Sequence, residues 1–410
     1  MSDQILQEIQ SLQFHNIQQA NQKLKDFFSS FVPFDIATVQ VRPLAVSLNS
    51  INGFLTTQDG RKLFFKTHIE PESIINEYYN SGILAEVGYP VIQPIYRSSQ
   101  WGKQLLIYDY FESPSLFNIV WELENQPNQK NQQDKIAKVQ NKADQQLWQL
   151  YQKSLQVISA QEHSKAPIHQ LFYHRLTGGR FQQFYQNIDI KLPGVIMNYD
   201  DLCQFKWTIN GRKYIDTLED LVNRATEMLN PANNSTASII GHGDAHNGNV
   251  FYEQKENQLI YFDPAFAGRH SPFLDLTKPL FHNIFAIWMY YPNEVAKNLT
   301  INWQIQGDTI EVEHNFIPSP LRLDFLKSKV NNVLKPLVEQ LQQHQQLEPN
   351  WQEYLKLALF CCPFLTMNLG DSKRFTPEIS LLGLSMAMEM GSFSPIENQS
   401  LLDDTLELGY

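Results

Sequence analysis

Two neighbouring stretches, a polar one and an apolar run that ends on an acid, carry most of the information in this chain. Residues 242–250 read HGDAHNGNV, and residues 259–264 read LIYFDP. The pattern predicts a glycine-broken loop, a strand, a hairpin turn and a second strand that ends on an acid. The hairpin would return Asp263 close to the loop that holds Asp244 and Asn249. Two carboxylates and a carboxamide supply oxygen ligands suited to Mg²⁺, and a carboxylate left free of metal could orient a hydroxyl group.

This motif resembles the catalytic and metal-binding segments of the aminoglycoside phosphotransferase, choline kinase and fructosamine kinase superfamily, whose fold is similar to that of protein kinases. Members carry His-x-Asp, an Asn five residues after the Asp, and another Asp about one hairpin later. The matching positions here are His242, Asp244, Asn249 and Asp263. The resemblance implies that Asp244 accepts or orients the substrate hydroxyl proton, while Asn249 and Asp263 hold Mg²⁺ on the phosphates of ATP. The Asp-Pro-Ala sequence of residues 263–265 looks most like the fructosamine kinase branch.

Other interpretations of the same residues stay open at this point. His242, Asp244 and His246 alternate along the chain, and imidazole and carboxylate groups also suit Zn²⁺ or Fe²⁺ in a metal-dependent hydrolase. Asp and Asn residues often cap turns without any catalytic role. Turn capping alone accounts poorly for Asp244, Asn249 and Asp263 together with the hairpin that joins them. A kinase-like protein that binds nucleotide without catalysis is a third alternative.

The composition predicts a globular protein with two lobes. The chain has 410 residues, which exceeds the size of a usual single domain. Of these residues, 42% are hydrophobic and 12% aromatic, enough to form a packed interior. The formal net charge of −11 argues against a nucleic-acid partner and favours a cationic small substrate. Cys203, Cys361 and Cys362 show neither a disulfide framework nor a metal-binding spacing, which fits a reducing cytosol.

Nothing in the sequence indicates export or membrane insertion. Residues 1–12 are polar where a secretory signal would have an apolar core, and no run approaches the roughly 18 apolar residues that cross a bilayer. We therefore expect a soluble, cytoplasmic protein without a membrane partner, in the compartment that contains ATP.

The chain divides into a predicted nucleotide-binding lobe, residues 1–110, and a larger helical lobe for catalysis and substrate, residues 111–410. Apolar residues recur at helical spacing over residues 1–32, so we expect amphipathic helix that covers the first lobe. Alternation and turn signals then predict five strands and one helix. The strands are predicted at residues 38–44, 50–57, 62–68, 91–96 and 104–111, and the helix between Pro71 and Gly88.

The resemblance implies nucleotide contacts in this first lobe. Residues 45–53 would form the loop that covers the phosphates, with Ser50 and Asn52 facing the nucleotide, although an ordinary hairpin would look the same in sequence. Tyr108 and Tyr110 lie in the segment that would join the lobes and offer backbone groups and an apolar slot to adenine.

Lys66 lies inside the apolar strand of residues 63–67, where an ammonium group is unfavourable unless it reaches water or an anion. The sequence therefore predicts a partner for Lys66. In the resembling families, a lysine at this place contacts the ATP phosphates and pairs with a glutamate of the next helix. The resemblance implies these roles for Lys66 and Glu77, with Glu70 and Glu72 as alternative acids.

Three further segments carry predictions. Residues 124–146 are rich in Asn, Gln, Lys and Asp, with no apolar stripe before Leu147, and predict an exposed, disordered insertion. Residues 173–180 contain two arginines, a histidine and paired glycines, which predict a loop that either binds an anion or a polyol or is only solvated. Asp275 matches an acid of the resembling families, and its implied task is to fix the catalytic loop by hydrogen bonds.

The sequence thus predicts an α+β fold with two lobes, a small antiparallel sheet and a larger helical part, similar to protein kinases. The implied activity is transfer of the γ-phosphoryl group of ATP, with Mg²⁺, to a hydroxyl of an amino sugar, an amino alcohol or a related small metabolite. The acceptor has no motif of its own, and its amine is inferred only from the resemblance and the net charge.

Overall fold

The protein has a mixed α+β fold, as the sequence predicts. The computed structural model describes residues 2–42, 50–68, 75–100, 102–233 and 235–407. In these ranges, a five-stranded antiparallel sheet forms the first lobe, and helices with four smaller sheets form the second. No helix in the described parts of the chain has both the length and the apolar character of a membrane-crossing segment.

The first lobe contains the five predicted strands. They are β1 (Ile36–Val41), β2 (Ser50–Thr57), β3 (Lys62–His68), β4 (Tyr96–Ser98) and β5 (Leu105–Asp109). Their spatial order is β1-β2-β3-β5-β4, and all neighbours are antiparallel. The helices of this lobe are α1 (Ser2–His15), α2 (Ile17–Ser29) and α3 (Ile75–Val87). The helix predicted after Pro71 is thus present from residue 75, and residues 69–74 lie outside the described part.

Helices α1 and α2 pack against this sheet, which confirms the predicted amphipathic cover. Leu24 and Phe28 of α2 are fully buried, and the centre of the Phe28 ring lies 5.1 Å from that of Phe65 in β3. The side chain of Asn16 begins α2 because it accepts a hydrogen bond from the backbone N–H of Gln19 at 3.2 Å. The apolar face of the helix pair and the sheet therefore share one core.

The fourth strand lies later in the chain than predicted. The sequence predicts a strand over residues 91–96, but β4 begins at Tyr96. Pro94 lies within the predicted range and has no N–H group, so it interrupts a ladder of hydrogen bonds. Just before it, the backbone N–H of Ile92 donates to the carbonyl of Tyr261 at 2.9 Å. This part of the predicted strand therefore connects the first lobe to the second.

The second lobe is built mainly from helices, as predicted. The helices are α4 (Leu116–Asn125), α5 (Lys130–Ser154), α6 (Ala160–His163), α7 (Tyr173–Thr177), α8 (Arg180–Tyr185), α9 (Tyr199–Leu202), α10 (Leu218–Met228), α11 (Pro272–His282), α12 (Ile287–Tyr290), α13 (Pro292–Asn298), α14 (Pro320–Lys329), α15 (Lys335–Gln343), α16 (Trp351–Leu365), α17 (Pro377–Gly391) and α18 (Leu401–Leu406). A π-helical turn, Val330–Leu334, joins α14 to α15.

The strands of this lobe form small sheets between the helices. They are β6 (Gln156–Ile158), β7 (Asp189–Leu192), β8 (Val195–Asn198), β9 (Lys206–Ile209), β10 (Arg212–Tyr214), β11 (Thr236–Gly241), β12 (Val250–Glu253), β13 (Gln258–Tyr261), β14 (Gly268–His270), β15 (Ile301–Gln306) and β16 (Thr309–His314). The sheet of order β10-β9-β16-β15 and the hairpin of β7 and β8 have no counterpart among the predicted elements. The hairpin of β12 and β13 is the one predicted from the motif.

Residues 124–146 are ordered and helical, so the prediction of a disordered insertion is wrong. They cover the end of α4 and most of α5. The apolar residues of α5 recur every three or four positions and form one buried stripe, which comprises Ile136, Val139, Ala143, Leu147, Leu150 and Tyr151. Asp144 also faces the core, where it forms an ion pair with Lys329 of α14. The stripe was missed because Lys, Gln and Asn separate its members in the sequence.

Candidate active site

The motif loop, residues 242–249, begins where β11 leaves the core of the second lobe. Gly243 has a φ of +80°, and an added Cβ would lie 2.5 Å from the carbonyl oxygen of Phe266. Only glycine therefore fits at this position. The loop ends in the short helical turn Asn247–Asn249. His246 caps the start of this turn, because its Nδ1 accepts a hydrogen bond from the backbone N–H of Gly248 at 3.0 Å.

The hairpin after this loop returns the chain to it, as predicted. Strands β12 and β13 pair in register over their whole length. Directly after β13, the backbone N–H of Phe262 donates to the carbonyl of Asn249 at 2.9 Å. Asp263 follows with a φ of +56°, a conformation that is uncommon outside glycine and persists where the surrounding structure holds it.

Asp244 presents a carboxylate to the interior of the site. Its Oδ1 is buried and has no hydrogen-bond partner among the described residues, and its Oδ2 lies 3.9 Å from Nε2 of His246. Burial acts to raise the pKa of this carboxyl group, but electrostatic interactions with His246, Lys278 and Arg175 outweigh it and hold the pKa below its ordinary value. The ionised carboxylate can therefore accept a hydrogen bond from a ligand.

An ion pair between Lys66 and Asp263 joins the two lobes across the site. The Nζ atom of Lys66 lies 2.7 Å from Oδ1 of Asp263, and the two residues are 197 positions apart in the sequence. The two side chains are 13% and 33% exposed, so the pair is partly sheltered from water. Lys66 thus has an acidic partner, as its apolar strand predicts, and both residues make further interactions.

Asn249 is fixed beside these carboxylates by its own side chain. Its Nδ2 donates to the backbone carbonyl of Asp244 at 3.0 Å. Because this bond uses the amide nitrogen, the amide oxygen is the atom that can serve as a metal ligand. The loop, the hairpin and β3 therefore bring Asp244, Asn249, Asp263 and Lys66 to one place, in agreement with the expectation from the motif.

An aromatic cluster lies next to this group, at the end of β5. The ring of Tyr108 lies 5.2 Å from that of Phe262, and the ring of Phe64 lies 5.9 Å from Phe262. Tyr110 lies two residues further on, with its ring 5.3 Å from Phe54. The two tyrosines of the predicted adenine segment thus contact different aromatic neighbours, and Tyr108 is the one that borders the hairpin.

The remaining predicted nucleotide contacts are described only in part. Asn52 is buried in β2, directly opposite Lys66 in the sheet register. Ser50 begins β2, and its side chain lies outside the described part, as do residues 45–49 of the predicted phosphate loop. Glu77 belongs to α3, and its side chain likewise lies outside the described part.

Asp275 at the start of α11 holds the motif loop in place. Its Oδ1 accepts the backbone N–H of Gly243 at 2.6 Å and lies 3.0 Å from Nε2 of His270, while Oδ2 accepts the hydroxyl of Tyr151. Burial acts to raise the pKa of Asp275, but its bonds and charge interaction with His270 and the other donors lower the pKa below its ordinary value. These contacts match the task that the resemblance implies for Asp275.

Sequence reasoning missed a buried basic residue near Asp244. Lys278 follows Asp275 by one turn of α11, and its Nζ lies 3.2 Å from Nε2 of His282 and 3.3 Å from Oγ1 of Thr366. The hydroxyl of Tyr290 lies 2.8 Å from Nδ1 of the same histidine. The signal that could have found it is a lysine in a segment where Phe, Leu and Pro predominate, because the same argument predicts a partner for Lys66.

Residues 173–180 are largely helical, and the prediction of a loop is wrong there. They form α7, a turn at the paired glycines, and the start of α8. Gly179 has a φ of +99°, which explains why the two helices are separated by glycine. Arg175 is turned inward and interacts electrostatically with Asp244, so the alternative of a merely solvated segment does not describe this residue.

Both ring nitrogens of His242 have hydrogen-bond partners in the backbone. Its Nε2 lies 3.0 Å from the carbonyl of Phe262, and its Nδ1 accepts the backbone N–H of Asp244 at 3.3 Å. Neither nitrogen is directed to a metal ion, which removes the ligand that the hydrolase interpretation needs. Among the described residues, no group of three or more His, Cys, Asp and Glu side chains is arranged to hold a metal ion.

Comparisons with known proteins give similarity to solved structures only. No protein-family model matches the sequence, and no curated protein matches it either. An amicoumacin kinase in complex with AMP-PNP and Ca²⁺ is 14% identical, with 86% of this chain and 87% of that chain covered and a TM-score of 0.47. An aminoglycoside-3'-phosphotransferase of type VIII is 12% identical, with 84% and 98% covered and a TM-score of 0.43.

A putative fructosamine-3-kinase from Thermobifida fusca is 10% identical, with 88% of this chain and 98% of that chain covered and a TM-score of 0.39. The structures to which this chain is similar thus include the enzyme classes that its motif resembles. At this level of similarity the matches carry no conclusion about activity, which is argued below from the site residues.

Proposed function

We propose that this protein is an ATP-dependent small-molecule kinase that transfers the γ-phosphoryl group to a hydroxyl. One observation carries the proposal. A buried carboxylate without a partner among the described residues, Asp244, lies in the same loop as Asn249, and the hairpin and β3 add the ion pair of Asp263 with Lys66. Phosphoryl transfer requires this combination of an acceptor for the hydroxyl proton, oxygen ligands for a metal and a cation for the phosphates.

Asp244 would orient the acceptor hydroxyl and receive its proton. Its lowered pKa makes it a weak base, so its main contribution would be to hold the hydroxyl in line with the γ-phosphorus. The side chain is 17% exposed, so a hydroxyl can approach the carboxylate, and no described residue donates to Oδ1. Asp275 would keep the loop rigid through the Gly243 N–H, so that the carboxylate does not have to reorganise during transfer.

Asn249 and Asp263 fit the ligand preferences of Mg²⁺. A carboxylate and a carboxamide oxygen are hard donors, and Mg²⁺ commonly takes one or two protein ligands together with substrate phosphates. The strained backbone of Asp263 is a further sign of a fixed functional position. The ion, when bound, would neutralise negative charge on the β- and γ-phosphates. Lys66 of β3, whose Nζ lies 2.7 Å from Oδ1 of Asp263, would contact the α- and β-phosphates.

The nucleotide base would bind at the end of β5, where the lobes join. Tyr108 and Phe262 form an aromatic border on the hairpin side, and Tyr110 follows at the segment that leads into the second lobe. Asn52 of β2 would face the phosphates, as its position opposite Lys66 suggests. A backbone segment next to an apolar wall is the usual setting for a purine.

Transfer of labelled phosphate from [γ-³²P]ATP to a panel of small hydroxyl compounds tests this proposal. We expect a labelled product together with ADP, and dependence on added Mg²⁺. The same assay with Asp308→Asn, a change in the exposed Lys206–Asp308 pair far along the chain from the motif, should give unchanged transfer. If ATP and Mg²⁺ stabilise the protein against heat but no member of the panel is labelled, the protein binds nucleotide without catalysis and the kinase proposal fails.

A further inference from the structure

Three basic side chains surround the last turn of α16, next to Asp244. Arg180 of α8 donates from Nη1 to the carbonyl of Leu365 at 3.3 Å, and Lys278 of α11 donates to Oγ1 of Thr366 at 3.3 Å. Arg175 of α7 interacts electrostatically with Arg180, Lys278 and Asp244. We refer to Arg175, Arg180 and Lys278 as the basic cluster.

The basic cluster lacks the carboxylates that normally accompany buried cations. Within the described ranges, no carboxylate oxygen lies within 4.0 Å of a nitrogen of these three side chains. Elsewhere in the second lobe, buried cations do have such partners, for example Lys329 with Asp144 and Lys356 with Asp403. Lys278 is buried and the two arginines are half-buried, so holding three cations here without a close carboxylate is costly and calls for an explanation.

The end of α16 accounts for two of the three cations but not for the third. The carbonyl end of a helix carries partial negative charge, which favours a cation such as Arg180 or Lys278 that bonds to its last residues. Arg175 makes no such bond. Its Nη1 is buried and has no hydrogen-bond partner in the described part of the chain. Burial lowers the pKa of Arg175 to about 10, so the guanidinium still carries its charge at neutral pH.

The local charge is therefore opposite to that of the whole chain. The formal net charge of −11 favours a cationic substrate at long range, whereas the surroundings of Asp244 are basic. Interactions at a few ångströms in a water-poor site outweigh the screened field of distant surface charges. A cationic acceptor would be repelled by Arg175 and Lys278 at the place where its hydroxyl must meet Asp244.

We propose that the acceptor substrate is an anionic hydroxy compound whose acidic group binds the guanidinium of Arg175, a half-buried residue, with Lys278 beside it. This inference rests on the proposed kinase function and names its substrate class. A guanidinium binds a carboxylate or a phosphate ester through two parallel hydrogen bonds, which would also fix the direction of the hydroxyl relative to Asp244.

The reaction then balances without any further reactant. The hydroxyl oxygen of the acceptor forms a bond to the γ-phosphorus of ATP, and the bond from that phosphorus to the β–γ bridging oxygen breaks. The hydroxyl proton passes to the Asp244 carboxylate and then to solvent. The products are ADP and a phosphate ester of the anionic acceptor.

Acceptors that differ only in charge test this inference. One set is D-glucose, D-glucosamine, D-glucuronate and D-glucose 6-phosphate, and a second is glycerol, serinol, D-glycerate and glycerol 3-phosphate. For each compound, kcat/KM is measured with wild type, Arg175→Gln and Arg175→Lys, and binding in the presence of Mg²⁺ and ADP is measured by thermal shift. Arg212→Gln is the matched control, because this half-buried arginine bonds to the carbonyl of Gln399 at 3.1 Å, away from the basic cluster.

The expected result is that anionic members have the highest kcat/KM, and that Arg175→Gln lowers it by about 10- to 100-fold for these members alone. Arg175→Lys should lose less, and Arg212→Gln should match wild type. The acidic group of the anionic compound that binds best then shows whether the site prefers a carboxylate or a phosphate ester.

Three results would overturn the inference, and the first two leave the kinase function intact. One is a preference for neutral or amine acceptors that Arg175→Gln does not change. The second is an equal rise in KM for ATP with every acceptor, which would assign Arg175 to the nucleotide. Absence of both turnover and stabilisation by the anionic compounds, while ATP and Mg²⁺ still bind, also refutes it. Loss of nucleotide binding in wild type would instead refute the kinase proposal.

Discussion

The Asp244 carboxylate is the residue on which the chemistry depends. Its Oδ1 is buried and has no donor among the described residues, a condition that costs free energy unless a ligand completes it. Neighbouring basic groups keep it ionised by lowering its pKa. Such a carboxylate is prepared to accept a hydrogen bond that only a bound substrate supplies.

Replacing Asp244 by Asn should therefore impair turnover more than binding. We expect kcat to fall by about 10²–10⁴-fold, because the neutral amide holds the hydroxyl less firmly in line and cannot take its proton. The affinity for ATP, measured by calorimetry, should stay within about threefold of wild type, since this carboxylate does not contact nucleotide in our account. An Asp244→Asn protein with unchanged kcat would refute the assignment.

Asp275 should contribute to stability as well as to the geometry of the loop. Asp275→Ala would leave the Gly243 N–H, His270 and Tyr151 without their buried acceptor, and we expect the free energy of unfolding to fall by roughly 3–5 kcal/mol. Tyr151→Phe removes only one of these bonds and should cost about 1 kcal/mol. Urea unfolding measures both. Equal losses for the two variants would contradict a network centred on Asp275.

Part of the site could be predicted from the sequence, and the reason is local. Asp244, Asn249 and Asp263 lie within one loop and hairpin, so their spacing along the chain determines their proximity. Lys66 could be identified because a cation in an apolar strand needs a partner, although the partner itself was not identifiable. The relation of Arg175 to Asp244 depends on how α7 packs against distant helices, and no short-range pattern carries that information.

At the scale of elements, helix α5 shows how buried polar contacts support the second lobe. Its apolar stripe faces the core, and Asp144 on the same face forms an ion pair with Lys329 and accepts the hydroxyl of Ser328 at 2.6 Å. The same helix also carries an exposed pair, Lys130 with Asp134. One helix thus offers both a buried and a solvated carboxylate for comparison.

Removing these two carboxylates should have very different effects. Asp144→Ala leaves a buried ammonium without its partner, and we expect the free energy of unfolding to fall by roughly 3–5 kcal/mol. Asp134→Ala breaks an exposed i,i+4 pair that water screens, so its free energy of unfolding should stay close to that of wild type. Thermal or urea unfolding of both variants provides the measurement. Similar small losses would show that α5 is loosely attached, as the sequence-based prediction of disorder would require.

Helices and strands are predictable from the sequence where their hydrophobic pattern is clear over a few residues. Strands β2 and β3 and the motif hairpin were predicted because alternation and turn residues are concentrated in a few positions. The stripe of α5 is diluted by polar residues between its members, so composition outweighed periodicity. The fourth strand begins later than the alternation predicts because Pro94 has no N–H group to donate to the hydrogen-bond ladder.

At the scale of the whole molecule, the two lobes are connected at the proposed site. Lys66 reaches Asp263 across the lobes, and the N–H of Ile92 bonds to the carbonyl of Tyr261 at the end of the hairpin. A ligand that binds between β3 and the hairpin would therefore touch both lobes and stabilise the molecule as a unit. This coupling makes thermal stability a useful report of nucleotide binding.

Stability should also depend on pH through a buried histidine pair. Burial lowers the pKa of His163 to about 4 and that of His169 to about 3, from 6.5 in each case, and the centres of their rings lie 4.5 Å apart. Below pH 6.5 the unfolded chain binds these protons more readily than the folded one. The contribution of the pair to the free energy of unfolding is therefore fully present above pH 6.5 and is lost as the pH falls.

His169→Gln should reduce this acid sensitivity. A depressed pKa of this size corresponds to a loss of about 3 kcal/mol between pH 7 and pH 4 from one histidine, and the variant should lack that contribution. The measurement is the free energy of unfolding at several pH values. Exposed His344 offers the control, since His344→Gln should follow the wild-type curve. A wild-type curve that is flat from pH 7 to pH 4 would contradict the prediction.

Calorimetric titration of ATP with and without Mg²⁺ measures whether Asn249 and Asp263 hold a metal ion on ATP bound between the lobes, as we propose. We predict that Mg²⁺ tightens ATP binding by about tenfold or more in wild type and in Asp308→Ala, and that Asp263→Ala and Asn249→Ala each remove most of this gain. An equal gain from Mg²⁺ in all four proteins, or no binding of ATP to wild type, would contradict the account.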